Sequence, residues 1–282
     1  VVARLIARRR TPVATGIYRQ LGGASPILAQ TRAQGRAVAA RLGDLGEVRS
    51  FTAMRYWHPF AAETAAELRA WQPDEIVLLP LYPQYSTTTT RSALTDWAAA
   101  ARAAGLFAPT RVVEAAPAEP GFIAAQAELI RRAWPPYGGR HRLLFTAHGL
   151  PLPIVQAGDP YPDQVHASAE AVVSALGMPG LDWRIAFQSR VTPQEWLKPD
   201  TEEEVKQAGR DGVGLVLVPI AFVSEHSETL VELDIEYRAV AEAAGVPSFI
   251  RVPTVGVHPA YVAGLAAQVR QALGAGPVQE AA

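Results

Sequence analysis

The chain has 282 residues, 49% hydrophobic and 19% charged, with a net charge of -1. That length makes two domains or one large one, and so small a net charge gives no drive toward nucleic acid or an anionic membrane. Cysteine is absent, which excludes a disulfide framework, a thiolate zinc site, a cysteine-ligated iron–sulfur cluster and a cysteine nucleophile.

The opening "VVARLIARRR" places three arginines after a short apolar stretch, the wrong order for a signal peptide. It reads as an internal helix whose upstream sequence is missing, with a basic, membrane-touching edge as the second reading. Further along, helical patterns at 26–42, 60–71, 92–104, 119–134, 162–176, 227–244 and 259–273 alternate with strand-like runs. These runs lie at 48–54, 75–81, 110–115, 142–147, 183–188, 214–220 and 249–255. Ser25-Pro26 is a good helix start, with Ser as cap and Pro in the first turn. Continuous apolar strands alternating with helices predict an α/β fold whose parallel sheets are covered on both faces. Ligands of such sheets gather at the C-terminal ends of the strands. The longest apolar run, 213–223, is broken by Gly214 and Pro219 and falls short of the about 20 residues a membrane span needs.

A faint repeat divides the chain. "IVLLPLYPQYSTTTT" (76–90) parallels "LVLVPIAFVSEHSET" (215–229), with Pro80 matching Pro219. Two similar halves are therefore expected, over 1–138 and 139–256, the boundary falling in the Pro- and Gly-rich "WPPYGGRH". Residues 257–282 are expected to form a C-terminal helix packing back on the first half.

Four stretches carry candidate chemistry. "FTAHGLP" delivers His148 at a strand tip, where a neutral imidazole accepts a proton or binds a metal. "FVSEHSETLVELDIEYR" puts five acids between Glu225 and Glu236. At 100° per residue, Glu225, Glu228, Glu232 and Glu236 share an arc of about 80°. Leu230, Leu233, Tyr237 and Val240 flank it on one side and Val231 and Ile235 on the other, opposite Ser227, Asp234 and Arg238. A desolvated stripe of this kind should have raised carboxylate pKa values and hold cations or relay protons. The plainer alternative is a solvated face in the field of the helix dipole. "PLYPQYSTTTTRSAL" offers tyrosines and hydroxyls as a pocket wall or a helix cap. "FQSRVTPQEWLKPDT", with "MRYWHPF", offers aromatics and cations for a flat, anionic ligand or an ordinary domain edge.

In family order, "LGGASPI", "MRYWHP", "LYPQYSTTTT", "FTAHGLP", "GDPYPDQV", "QSRVTPQEWLKPDT" and "PIAFVSEHSETLVELDIEYR" resemble ferrochelatase, of the proteobacterial type. The resemblance implies two Rossmann-like halves, each with a four-stranded parallel sheet, and a cleft between them. It implies insertion of Fe²⁺ into a porphyrin, expected to be protoporphyrin IX, with release of two protons, the terminal step of haem biosynthesis. His148 and Glu228 are then the catalytic pair, and Glu232 and Glu236 continue an acidic trail that meets the metal. Arg55, Tyr82 and Ser86 are the implied porphyrin contacts. No cofactor is expected beyond the Fe²⁺ substrate, and the iron–sulfur cluster of some members has no ligands here. A cytoplasmic monomer is expected, touching the inner face of a membrane without spanning it. The family's first strand and its "LGGP" loop are missing before Val1. Arg91 and Thr192 stand where the family has glycine, and 112–122 lacks aromatics often seen there. The competing readings are a chelatase for coproporphyrin or sirohydrochlorin, and a non-catalytic porphyrin or haem carrier. A nucleotide-binding protein lacks support, since neither glycine-rich phosphate motif occurs at a strand–helix turn.

Overall fold

The computed structural model describes residues 16, 18–136, 139–189 and 194–274. The opening arginine run, Arg190 and Thr192 lie outside the described residues.

The second half is built on a parallel sheet of four strands, ordered β4-β3-β5-β6. They are β3 (His141–His148), β4 (Asp182–Gln188), β5 (Gly214–Pro219) and β6 (Phe249–Arg251). The two central strands are β3 and β5, and their near-continuous apolar runs are what a sheet buried on both faces requires. Alternation divides them between two layers. Leu143, Phe145, Ala147, Val216 and Val218 enter one core, whereas Leu144, Leu215 and Leu217 enter another, smaller one. The first core extends to helix α1 (Ile27–Ala40), α4 (Pro120–Ala133), α6 (Tyr161–Leu176) and α9 (Pro259–Ala272). The second lies under α7 (Thr201–Arg210), a π-helical segment (Glu228–Glu236) and the α8 helix that continues it (Tyr237–Ala243).

The first half carries α2 (Ala61–Trp71), β1 (Ile76–Leu78), α3 (Ser92–Ala104) and β2 (Thr110–Val112). Here the expected four strands are two among the described residues, β1 paired in parallel with β2. The stretch 48–54 is not a strand. The Thr52 carbonyl takes its hydrogen bond from the Thr64 hydroxyl at 2.7 Å, and Met54 bridges only to Phe60. The repeat does appear in three dimensions. A second π-helical segment, Thr87–Arg91, follows β1 just as Glu228–Glu236 follows β5.

Two further helices were not legible in the pattern, α5 (Leu152–Gln156) and α7. In α7, Asp200 caps the N-terminus by accepting from the Glu203 amide, and three glutamates occupy the first turn, all favourable at a helix start. Its Gly209 lies so close to α8 that an added Cβ would stand 2.1 Å from the Ala244 carbonyl oxygen.

Glutamines join the halves. Gln34, fully buried in α1, donates to the Val223 carbonyl at 2.8 Å and the Gly256 carbonyl at 3.0 Å. Gln84 donates to the Ser168 hydroxyl at 2.8 Å, and Gln164 accepts from the Tyr85 amide at 2.7 Å. Buried amides with satisfied partners fix one relative placement, because any shift would strand them unpaired. The α9 helix packs on α4 and α1.

Candidate active site

The longest strand, β3, ends on His148, paired in register with Gln188 at the tip of β4. Its imidazole Nδ1 lies 2.9 Å from Glu228 Oε2. Both side chains are about one-third exposed, at 36% and 32%, so the pair is reachable from solvent. The two groups shift each other in opposite directions. Burial works against the charged imidazole, yet the hydrogen bond and charge of Glu228 raise the His148 pKa above its ordinary value. Burial works against the Glu228 carboxylate too, yet His148 and His226 hold its pKa below the usual range. An ionised Glu228 can only accept, so Nδ1–H donates to it and the imidazole lone pair lies on Nε2.

Glu232 behaves otherwise. Burial raises its pKa, with the negative charge of Glu228 adding to the effect. Its Oε2 accepts from the Ser189 hydroxyl at 2.5 Å and from Gln188 Nε2 at 3.4 Å, and its Oε1 accepts from the Tyr237 hydroxyl at 3.2 Å. Ser189 reaches it from a left-handed backbone conformation, φ 65°. Gln188 is in turn fixed by the Thr146 hydroxyl at 2.7 Å. Two carboxylates one turn apart are thus pushed to opposite acidities, the arrangement that separates proton-holding from charge-holding roles.

The four-glutamate stripe is not continuous. Glu225 turns away to Arg251 Nη1 at 2.8 Å and to the Thr254 amide at 3.0 Å, and Glu236 is exposed. Glu225 lies before the helical segment, which is capped at Ser227, so no helical projection applies to it. Within Glu228–Glu236 the backbone departs from an α-helix. The ladder is i→i+5 here, with the Tyr237 amide bonded to the Glu232 carbonyl, so each residue turns the helix by less than 100°. The i+4 positions then fall short of a full turn instead of passing it, and the projected arc no longer holds. Among the described residues, no three His, Asp or Glu side chains converge as a ready-made metal site.

Around this pair, Asp159, Tyr161 and His226 were not singled out from the sequence. Burial raises the pKa of the buried Tyr161 hydroxyl, the charges of Glu228 and Asp159 add to the rise and the His148 backbone opposes it. His226 Nε2 stands 4.0 Å from Glu228 Oε2, and burial lowers its pKa. Both Asp159 and Tyr161 lie in "GDPYP", where an aspartate two positions before a helix start was a readable capping signal.

On the first-half side, Arg55 donates to the Ser92 hydroxyl at 3.0 Å and stacks on Tyr56 at 5.0 Å. Partial burial raises the Tyr82 pKa and Tyr56 adds to this, while Arg55 opposes it. Tyr56, Trp57 and Tyr82 are exposed, at 76%, 70% and 36%. Ser86 differs from the expectation of a pocket wall. It is fully buried and donates to Asp159 at 2.9 Å. A cavity of about 380 Å³ opens beside that contact, lined by Thr87, Arg91, Ile154 and Asp159 among others.

Parallel sheets flanked by helices, with an imidazole–carboxylate pair at a central strand tip, define an α/β enzyme with acid–base groups at the C-terminal edge of its sheet. In overall fold the chain is similar to "SirB from Bacillus subtilis with Fe3+", with a TM-score of 0.61, 14% identity and coverage of 86% of this chain and 90% of that one. It is also similar to CbiX, the terminal enzyme for siroheme biosynthesis in denitrifying bacteria, with a TM-score of 0.53 at 20% identity, covering 88% and 94% of the two chains. The chain belongs to the ferrochelatase family, whose model matches residues 1–273. It is 52% identical to the ferrochelatase of Phenylobacterium zucineum, over 94% of this chain and 78% of that one. To that of Caulobacter vibrioides it is 45% identical, over 98% and 80%. Its activity is the insertion of iron into a porphyrin in haem biosynthesis.

Proposed function

We propose that His148 accepts the pyrrole protons during metallation of protoporphyrin IX, with Glu228 as its partner carboxylate. The observation that carries this is the 2.9 Å contact between His148 Nδ1 and Glu228 Oε2. Fe²⁺ entering the macrocycle displaces two N–H protons, so the chemistry needs a base with a free lone pair in the cleft. His148 Nε2 is such a base, and the ionised Glu228 stabilises the imidazolium that forms. Glu232, held toward its neutral form, is the next station along the helix, and the exposed Glu236 ends the path at solvent. Fe²⁺ is substrate, and oxygen and nitrogen donors that do not close into a cage suit a metal that must leave. Arg55 and Tyr82 form the porphyrin wall, Arg55 answering a propionate carboxylate.

The two sheets support a division near 138–139, with 257–282 joined to the first half through α9. The exposed Tyr56 and Trp57 supply amphipathic rings of the kind that settle at a membrane interface, which supports peripheral membrane contact of a cytoplasmic enzyme. Among the described residues, no helix is long and apolar enough to cross a membrane.

The test is spectroscopic. The protein is incubated with protoporphyrin and Fe²⁺ or Zn²⁺ while the Soret band is followed, for the wild type and for His148→Ala. Loss of turnover with an unchanged circular dichroism spectrum is expected. Comparable turnover in the variant would remove His148 from the mechanism. Porphyrins differing in carboxylate count, offered in parallel, assign the preferred substrate.

A further inference from the structure

One short stretch of the second half, from His148 to Tyr161, touches both π-helical segments. At its start, His148 binds Glu228 in the segment of its own half. At its end, Asp159 reaches across to the segment of the first half. Asp159 Oδ2 accepts from the Ser86 hydroxyl at 2.9 Å, the Thr87 amide at 2.7 Å and the Thr87 hydroxyl at 2.6 Å. Its Oδ1 accepts from the Tyr161 amide at 3.1 Å. Asp159 is 5% exposed, and a buried carboxylate with four donors is fixed in place, since moving it strands charge and donors together. Tyr161 then returns to the reacting end, where its buried hydroxyl is within the influence of Glu228 and the His148 backbone.

We infer that Asp159 is a positioning residue for the His148–Glu228 pair. It clamps Ser86 and Thr87 of the first half to the loop that carries His148, and so sets the distance between the porphyrin wall and the base. The parts of the loop nearer His148 are anchored separately, by the Gly149 amide to the Gln188 carbonyl at 2.9 Å and the Leu152 amide to the Glu195 carbonyl at 2.9 Å. Asp159 therefore governs the approach of the halves more than the fold of the loop. Thr87 is the partner on which the inference can be graded. It supplies two of the four donors, one from backbone and one from side chain, and only the side-chain donor is removed by substitution.

The inference rests on His148 acting as the base, and its test separates the two. Asp159→Asn, Thr87→Val and Thr87→Ser are compared by steady-state kinetics with varied porphyrin, and by proton NMR of the His148 Nδ1–H that Glu228 holds downfield. Asp159→Asn removes the charge and turns one acceptor into a donor where every neighbour, Ser86, Thr87 or the Tyr161 amide, also donates, so kcat should fall about tenfold, as a small misplacement of reacting groups does. KM for porphyrin should rise with it, and the downfield resonance should broaden or move. Thr87→Val should fall by about threefold and Thr87→Ser should stay at the wild-type value, because serine keeps the hydroxyl donor. A lowered melting temperature with kcat, KM and the resonance all unmoved would make Asp159 a structural residue only and overturn the inference. If Asp159→Asn fails to fold, Thr87→Val decides alone, and wild-type kinetics there overturn it. A displaced resonance alongside full turnover in His148→Ala would keep the clamp and reject His148 as base.

Discussion

Glu225 and Glu228 stand three residues apart and serve opposite partners. Glu225 pairs with Arg251 at 2.8 Å, away from the cleft, and Glu228 pairs with His148 at 2.9 Å, within it. One is structural charge, 15% exposed against an arginine at 10%. The other is poised charge, about one-third exposed and facing a base.

The pH dependence of the reaction follows from this pair. His148 must be neutral at Nε2 to accept a proton, and Glu228 raises its pKa. The rate should therefore climb with pH and level off only above the ordinary histidine pKa of about 6.5. Glu228→Gln removes the stabilising charge while burial remains, so the pKa of His148 should drop and the residual activity should level off at lower pH. Measured kcat/KM–pH profiles check this, and an unmoved acidic limb in Glu228→Gln would break the link between the two residues. Turnover should fall by at least about a hundredfold, within the range of a lost acid–base partner. Stability should change by no more than about 1 kcal/mol, because the pair is partly solvated.

Glu232→Gln should stabilise the protein, and increasingly so as pH rises. A carboxyl whose folded pKa lies above its unfolded value binds more protons in the native state. It therefore costs stability as pH climbs from the ordinary glutamate value through the raised one. An amide carries no such cost. Thermal melts of both proteins across pH 4–8, a span of about four units around those values, should diverge upward with pH. Parallel curves would show that Glu232 is not desolvated. Activity should fall less than in Glu228→Gln.

Arg251→Leu should destabilise the protein by about 3 kcal/mol, the loss typical of a buried pair deprived of one partner. Glu225 would be left with the Thr254 amide alone, and Asp234 would lose the Arg251 contact at 3.3 Å. Denaturant unfolding measures this directly. Activity per folded molecule should be unchanged, since neither acid faces His148.

Asp234→Asn is the control on the far face of the same helix. Asp234 pairs with Arg238 at 2.6 Å as well as with Arg251, so a loss of about 0.5–1 kcal/mol is expected with turnover intact. A fall in turnover equal to that of Glu228→Gln would show that this face of the helix also reaches the cleft.

How much of this was legible depends on which physical rule each residue obeys. His148 was readable because the apolar run "LLFTA" announces a buried central strand, and such strands deliver their last residue to a site. Glu228 and Glu232 were readable because i and i+4 share a face under either helical ladder. Glu225 and Glu236 were not: Glu225 precedes the helix, which is capped at Ser227, and Glu236, although i+4 from Glu232, lies at the exposed end of the segment. The prediction of uniformly raised carboxylates failed at Glu228 for a tertiary reason, a histidine 80 residues away in sequence. Helix α7 was missed because its buried face is only Thr201, Val205 and Ala208, too sparse an apolar stripe for periodicity to detect. Asp159 stayed unassigned because its four donors come from two separate segments.

The i→i+5 ladder also makes the active helix sensitive to length in a way that ordinary surface helices are not. A π-helical segment is an α-helix carrying surplus residues, held wide by its surroundings. Deleting a single residue between Glu228 and Glu232, such as Leu230, changes neither charge nor catalytic side chains, and it would let the ladder relax toward i→i+4. Every residue upstream would then swing by roughly 100° relative to α8. Glu228 would leave His148 while Glu232 kept Ser189 and Tyr237. In this region an in-frame codon loss would therefore act as an active-site lesion, although no functional residue is touched.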